Sequence, residues 1–132
     1  MATVSLTLEN FERTILEGGT VFVDFWAAWC GPCLAFAPNY EAAAEDNPDL
    51  TFAKVDTEDQ QQLAAAINIT SLPTIMAFKD GIGVFAQAGA LPRVALDDLI
   101  GQVRALDMDA VRAQIAASET EQAAQSSELT ES

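Results

Sequence analysis

Cys30 and Cys33 are the only thiols among 132 residues, and they stand two residues apart in Trp29-Cys30-Gly31-Pro32-Cys33. At that separation two thiols can face each other across the first turn of a helix, where they can form a disulfide and give it up again. The chain has no histidine. Two cysteines alone therefore cannot complete the usual four-ligand zinc or iron–sulfur site within one chain, and hydrolase triads of the common kind are excluded. Gly81-Ile82-Gly83-Val84-Phe85-Ala86 has the spacing of a dinucleotide fingerprint, but it falls in a predicted hairpin and opens no helix.

The elements on either side would hold the pair in place. Residues 20–26, with the run Val21-Phe22-Val23-Asp24-Phe25-Trp26, read as a strand, apolar throughout except for Asp24, and the alanine-rich segment from Gly31 to about Asn47 reads as a helix with Pro38 inside it. A strand without alternation belongs in the middle of a sheet covered on both faces. Upstream, residues 3–6 form a short strand, and Thr7 caps a helix that carries Leu8, Phe11, Ile15 and Leu16 on one face and stops at Gly18-Gly19. Downstream, residues 51–55 are a strand, and residues 58–67 are a helix with Leu63, Ala64, Ala66 and Ile67 at helical spacing. Residues 73–79 and 83–88 flank the turn Lys79-Asp80-Gly81 as a hairpin. Residues 93–105 place Val94, Leu96, Leu99, Ile100 and Val103 on an amphipathic helix. The order β-α-β-α-β-α-β-β-α predicts an α/β fold with a central mixed sheet flanked by helices on both faces.

Half of the residues are hydrophobic, enough for one domain with a real core and no disulfide staple. The net charge of −14 argues against binding nucleic acid or an anionic membrane surface, both of which need basic protein surface. No basic, apolar leader opens the chain and no segment reaches the ~18 apolar residues of a membrane span, so a cytoplasmic protein is expected, and the sequon Asn68-Ile69-Thr70 carries no meaning there. Residues 1–106 make up the domain, residues 107–117 an extra short helix starting at Asp109, and residues 118–132 an acidic tail. That tail has too little apolar area to offset its ordering entropy and is expected to be disordered.

The landmarks together resemble the thioredoxin family. Asp24-Phe25-Trp26-Ala27-Ala28-Trp29-Cys30-Gly31-Pro32-Cys33, Ala37-Pro38, Ala53-Lys54-Val55-Asp56, Leu72-Pro73-Thr74 and Gly89-Ala90-Leu91 stand in the family's order, at close to its spacing, across roughly residues 3–106. The resemblance implies the thioredoxin fold and a thiol–disulfide oxidoreductase that reduces disulfides in client proteins. It implies no bound cofactor: NADPH and FAD act only through a partner, thioredoxin reductase. A monomer is expected.

Roles follow for particular residues. Cys30, at the open end of a helix where unpaired N–H groups favour negative charge, is the expected nucleophile, and Cys33, one turn further in, the resolving thiol. Pro32 presets a helical φ and Gly31 leaves the backbone bare for an incoming chain. By resemblance the Gly-Pro pair marks a reducing protein. Asp24 should have a raised pKa because burial disfavours its charge, which suits it to take a proton from the resolving thiol; Lys54 lies near the matching acid in the family. Pro73 matches a proline that follows a cis bond and faces the cysteines. Trp29, Pro32, Leu72, Gly89 and Ala90 are expected to form a shallow apolar patch for substrate, and Trp26 to be core. Leu34 departs from the family, which often has a basic residue there. Two other readings use the same fold: a chaperone or partner-binding module with incidental redox chemistry, and a dedicated disulfide oxidase or isomerase.

Overall fold

The chain runs β1 (Val4–Ser5), α1 (Phe11–Glu17), β2 (Thr20–Trp26), α2 (Gly31–Asp46), β3 (Thr51–Asp56), α3 (Gln61–Ala66), β4 (Thr74–Lys79), β5 (Ile82–Ala88), α4 (Arg93–Ala105) and α5 (Met108–Glu131). This computed structural model describes the backbone of residues 2–131 and the side chains of residues 2–123. Met1, and Ser132 at the end of the expected tail, lie outside the described residues.

The five strands lie in the order β1-β3-β2-β4-β5, with β3 parallel to β1 and β2, and with β4 antiparallel to both β2 and β5. The sheet is therefore mixed, as the order of elements predicts. Val21 to Phe25 are all fully buried because β2 is central and both of its faces are covered. Strand alternation divides the core in two. Phe22, Phe52, Ile75 and Ala77 pack against α2 and α4, while Val21, Val23, Phe25, Ala53 and Val55 pack on the other face with Leu6, Ile15 and Leu63. On the first face Phe22 stacks on Phe52 at 5.1 Å between ring centroids, and Tyr40 meets Phe52 edge-on at 5.5 Å. Leu96 of α4 is fully buried there. Leu96→Ala should lower the unfolding free energy by about 3 kcal/mol, the cost of lost burial plus the cavity left behind, measurable by guanidinium unfolding of the oxidised protein.

Several local expectations need correction. α1 begins at Phe11 rather than near Thr7, because Asn10 Oδ1 accepts the Thr7 N–H at 2.8 Å and holds residues 7–10 in a turn. Leu8 and Leu16 are exposed, which leaves Phe11 and Ile15 to face the core. α3 begins at Gln61 rather than 58: Asp56 Oδ1 accepts the Glu58 N–H at 3.0 Å and the Asp59 N–H at 3.4 Å, so residues 57–60 fold as a turn first. Val94 is exposed, not part of the buried face of α4. The hairpin has positive φ at both Asp80 (54°) and Gly81 (80°), the backbone a two-residue turn needs to follow the twist of its strands.

Beyond Leu106 a single helix, α5, runs to Glu131 across the span divided above into a short helix and an irregular tail. Alanine, glutamate and glutamine favour helix without needing a buried face, and residues 112–123 are indeed exposed. The start of α5 is anchored: Met108 is buried and Arg112 pairs with Asp80 at 3.0 Å. Lys79 Nζ donates to the carbonyls of Val103 and Arg104, at 2.9 and 3.0 Å, and closes the end of α4.

Candidate active site

β2 delivers the chain into the loop Ala27–Trp29, and α2 starts directly after it with Cys30 as its N-cap residue in extended conformation. Cys30 N–H is bonded to Ala27 O at 3.1 Å, and Leu34 N–H to Cys30 O at 3.1 Å, which fixes the first turn. Cys30 and Cys33 are joined in a disulfide, with Cα atoms 5.2 Å apart. Cys30 Sγ accepts the Cys33 N–H at 3.2 Å. One of the otherwise unpaired donors of the helix start thus points at this sulfur, where it can stabilise a thiolate when the disulfide opens. Pro32 lies in the first turn, where its missing N–H costs nothing. A Cβ on Gly31 would meet only open space, and Gly31 and Pro32 are both exposed.

The two half-cystines are themselves 4% and 2% exposed and pack with Ala27 against Trp26 and Leu72. Leu72 is half-buried, and the Leu72–Pro73 peptide bond is cis. The Pro73 side chain is fully buried, so what it offers to solvent is only the course of the chain beside it. Gly89, at φ 106°, donates its N–H to Pro73 O at 2.7 Å, a backbone that favours glycine, and brings exposed Gly89 and Ala90 alongside residue 73. Trp29 is 69% exposed. An apolar surface around a shielded disulfide results, with Trp29, Leu34, Pro32 and Ala90 outward.

Asp24 is the single charged side chain among the buried residues, with neither carboxylate oxygen hydrogen-bonded among the described residues. Its neighbours in the sheet are Lys54 on β3 and Ile75 on β4. Burial pushes its pKa up from 3.8 to about 7, and the positive charge of Lys54 offsets only part of that rise. Lys54 does not hold the carboxylate by a hydrogen bond: its Nζ lies 4.7 Å from the centroid of the Trp26 ring, in a cation–π position. Asp24 is thus a buried carboxyl whose pKa lies near neutrality rather than one half of a closed ion pair.

Two side chains, Glu58 and Tyr40, escape a reading of the sequence, and a third, Trp26, departs from it. Glu58 Oε1 accepts the Trp29 indole N–H at 2.7 Å, and the turn that presents it is tied to β2 by Thr57 N–H to Trp26 O at 2.9 Å. Nothing singles out Glu58 in the sequence, where it is one of 20 acids. Trp26, expected as core, is half-buried and also carries Lys54. Tyr40 donates to Ala53 O at 2.8 Å, holding β3 where Lys54 leaves it; only its place on the buried face of α2 could have pointed to it. Among the described residues no group of three or more His, Cys, Asp or Glu is arranged to hold a metal ion.

Residues 2–102 match the family model described as Thioredoxin. The chain is 57% identical over 115 residues to "Putative thioredoxin 2" of Streptomyces coelicolor, an alignment covering 87% of this chain and 86% of that protein. It is 41% identical over 99 residues to the thioredoxin of Mycoplasma genitalium, covering 75% of this chain and 97% of the relative. Among solved structures it is similar to Plasmodium falciparum thioredoxin, at a TM-score of 0.71 and 36% identity, covering 76% of this chain and 98% of the other.

Proposed function

The chain belongs to the thioredoxin family and, with its Cys30–Cys33 pair, is a protein-disulfide oxidoreductase; from that premise we propose that it works in the reducing direction, with Cys30 attacking and Cys33 resolving. The Cys30 thiolate attacks one sulfur of a client disulfide, forming a mixed disulfide and expelling the other client sulfur as a thiolate, which takes up a proton. Cys33, giving its proton to Asp24, then attacks Cys30 Sγ. The client leaves with two thiols and the chain is left with its own disulfide. Lys54 tunes Asp24 through its charge, and Trp29, Gly31, Pro32, Leu72, Pro73, Gly89 and Ala90 receive the client as an extended segment. The observation that carries this reading is Cys30 Sγ at the start of α2, bonded to the Cys33 N–H.

Two electrons per cycle come from NADPH through a flavin-containing thioredoxin reductase, and the chain itself binds no cofactor. It acts as a cytoplasmic monomer and shuttles electrons between soluble proteins; its charge of −14 keeps it from nucleic acid and anionic membranes. Residues 1–106 carry the exchange chemistry and α5 is an appendage to it. Removing residues 119–132 should therefore leave the rate of disulfide reduction unchanged.

The test is NADPH consumption in the presence of a thioredoxin reductase and a protein disulfide. Consumption should scale with added chain and vanish with Cys30→Ser. No consumption, together with catalysed disulfide formation in a reduced client, would assign the chain to oxidation instead.

A further inference from the structure

We propose that the groove along the free edge of β5 binds an extended segment of a partner protein in which apolar residues alternate with lysine or arginine. β5 is the last strand of the sheet, paired only with β4, and among the described residues no backbone hydrogen bond reaches its outer edge. Three hollows adjoin it. One of about 250 Å³ lies between Phe85, Leu91 and Leu99, a waist of about 80 Å³ between Val84, Val103 and Leu106, and one of about 520 Å³ between Val84, Leu106, Val111 and Ile115. The first two share Phe85, Leu99 and Gln102, and the last two share Val84 and Leu106, so they form one continuous groove. α5 walls its far end and is fixed there by Met108 and the Arg112–Asp80 pair.

The geometry favours a strand as occupant. Ala86 and Ala88 alternate with Phe85 and Gln87, so they lie on the sheet face away from the groove; both are small and exposed and leave room there for the side chains of an added strand hydrogen-bonded to the edge. The register slips between Ala77 and Phe78, leaving Val84 as an extra residue, and both Val84 and Phe85 turn toward the core shared with α4. Such a bulge ends regular pairing. It limits strand addition to Phe85–Ala88 and leaves the rest of the segment to lay its side chains over Leu106 and Ile115.

Charge selects the partner. Among the described residues the groove is lined by Asp98 and Glu119 and by no basic residue, and neither acid is in an ion pair. A second copy of the chain would bring another −14 charges to this edge, whereas a cationic segment is attracted.

The experiment is a titration of the full oxidised, ¹⁵N-labelled chain with a capped synthetic peptide of about eight alternating Val and Lys residues, the length that spans one strand. Amide shifts should appear at residues 84–88, Leu106 and Ile115, and should weaken with salt. Ile115→Ser should weaken binding about tenfold, for one lost apolar contact, without changing the rate of disulfide reduction. Asp98→Asn with Glu119→Gln should weaken the salt dependence. Ile115 is partly exposed, so its replacement spares the core. Equal binding of a Val/Glu peptide, shifts confined to Trp29–Pro32 and Gly89–Ala90, or sedimentation showing that the chain dimerises through β5 would each overturn the proposal.

Discussion

Cys33→Ser should leave the chain folded but reduce multiple-turnover disulfide reduction on the order of a thousandfold or more, the loss typical when one member of a reacting pair is removed. The first attack still occurs, because Cys30 keeps its place at the start of α2 and the Cys33 backbone N–H that points at it is unaffected by a change of side chain. The second attack fails, because a serine hydroxyl is not appreciably ionised at neutral pH and cannot displace the client from Cys30. A one-to-one covalent adduct with a client disulfide should accumulate and release its client on treatment with dithiothreitol. Cys30→Ser should be equally inactive and yield no such adduct. Sustained turnover by the Cys33→Ser variant would mean that the second thiol does not close the cycle.

Asp24→Asn should make the oxidised protein more stable at pH 8, by about 2–4 kcal/mol, and slow release of the mixed disulfide at pH 7. The carboxyl has an ordinary pKa of 3.8, raised to about 7 in the folded chain by burial. Below pH 3.8 both folded and unfolded chains hold the proton and the raised pKa has no effect. Between about 4 and 7 the unfolded chain ionises while the folded chain does not, so stability falls as pH rises. Above 7 the whole cost, about 4 kcal/mol for a shift of this size, is present. Asparagine removes the charge but keeps polar atoms buried, so most but not all of that cost is recovered. Guanidinium unfolding of both forms at pH 4 and pH 8 measures the difference, which should be small at pH 4 and large at pH 8. A gain independent of pH would place the effect elsewhere than in this carboxyl. In the proposed cycle Asp24 accepts the Cys33 proton, so in this variant resolution at pH 7 should slow and should recover as rising pH ionises the thiol directly.

Much of this arrangement is legible in the order of residues, for reasons that are local or nearly so. β2 and α4 coincide with their expected spans because continuous apolar runs and amphipathic periods leave few other choices. Asp24 stands out in the sequence because the run Val21–Trp26 is otherwise apolar, and the structure leaves it buried and without a hydrogen bond among the described residues. The failures lie where a side chain competes for nearby backbone groups or where two distant segments decide. The turns before α1 and α3 are set by Asn10 and Asp56 side chains capturing backbone N–H groups, which competes with helix formation and leaves no periodic trace. The partnership of Trp29 with Glu58 spans 29 residues. Lys54 sits near Asp24 by strand register, but its choice of the Trp26 face over the carboxylate depends on side-chain packing.

The most direct measurement is alkylation of the reduced chain by a limiting amount of iodoacetamide, with peptide mass spectrometry reading which sulfur is modified as pH is varied. Cys30 should carry nearly all of the label at pH 7, with a reactivity midpoint below the ~8.5 of a free thiol. If Cys33 were labelled as fast, or if both thiols titrated at the free value, the sulfur at the start of α2 would not be the attacking one.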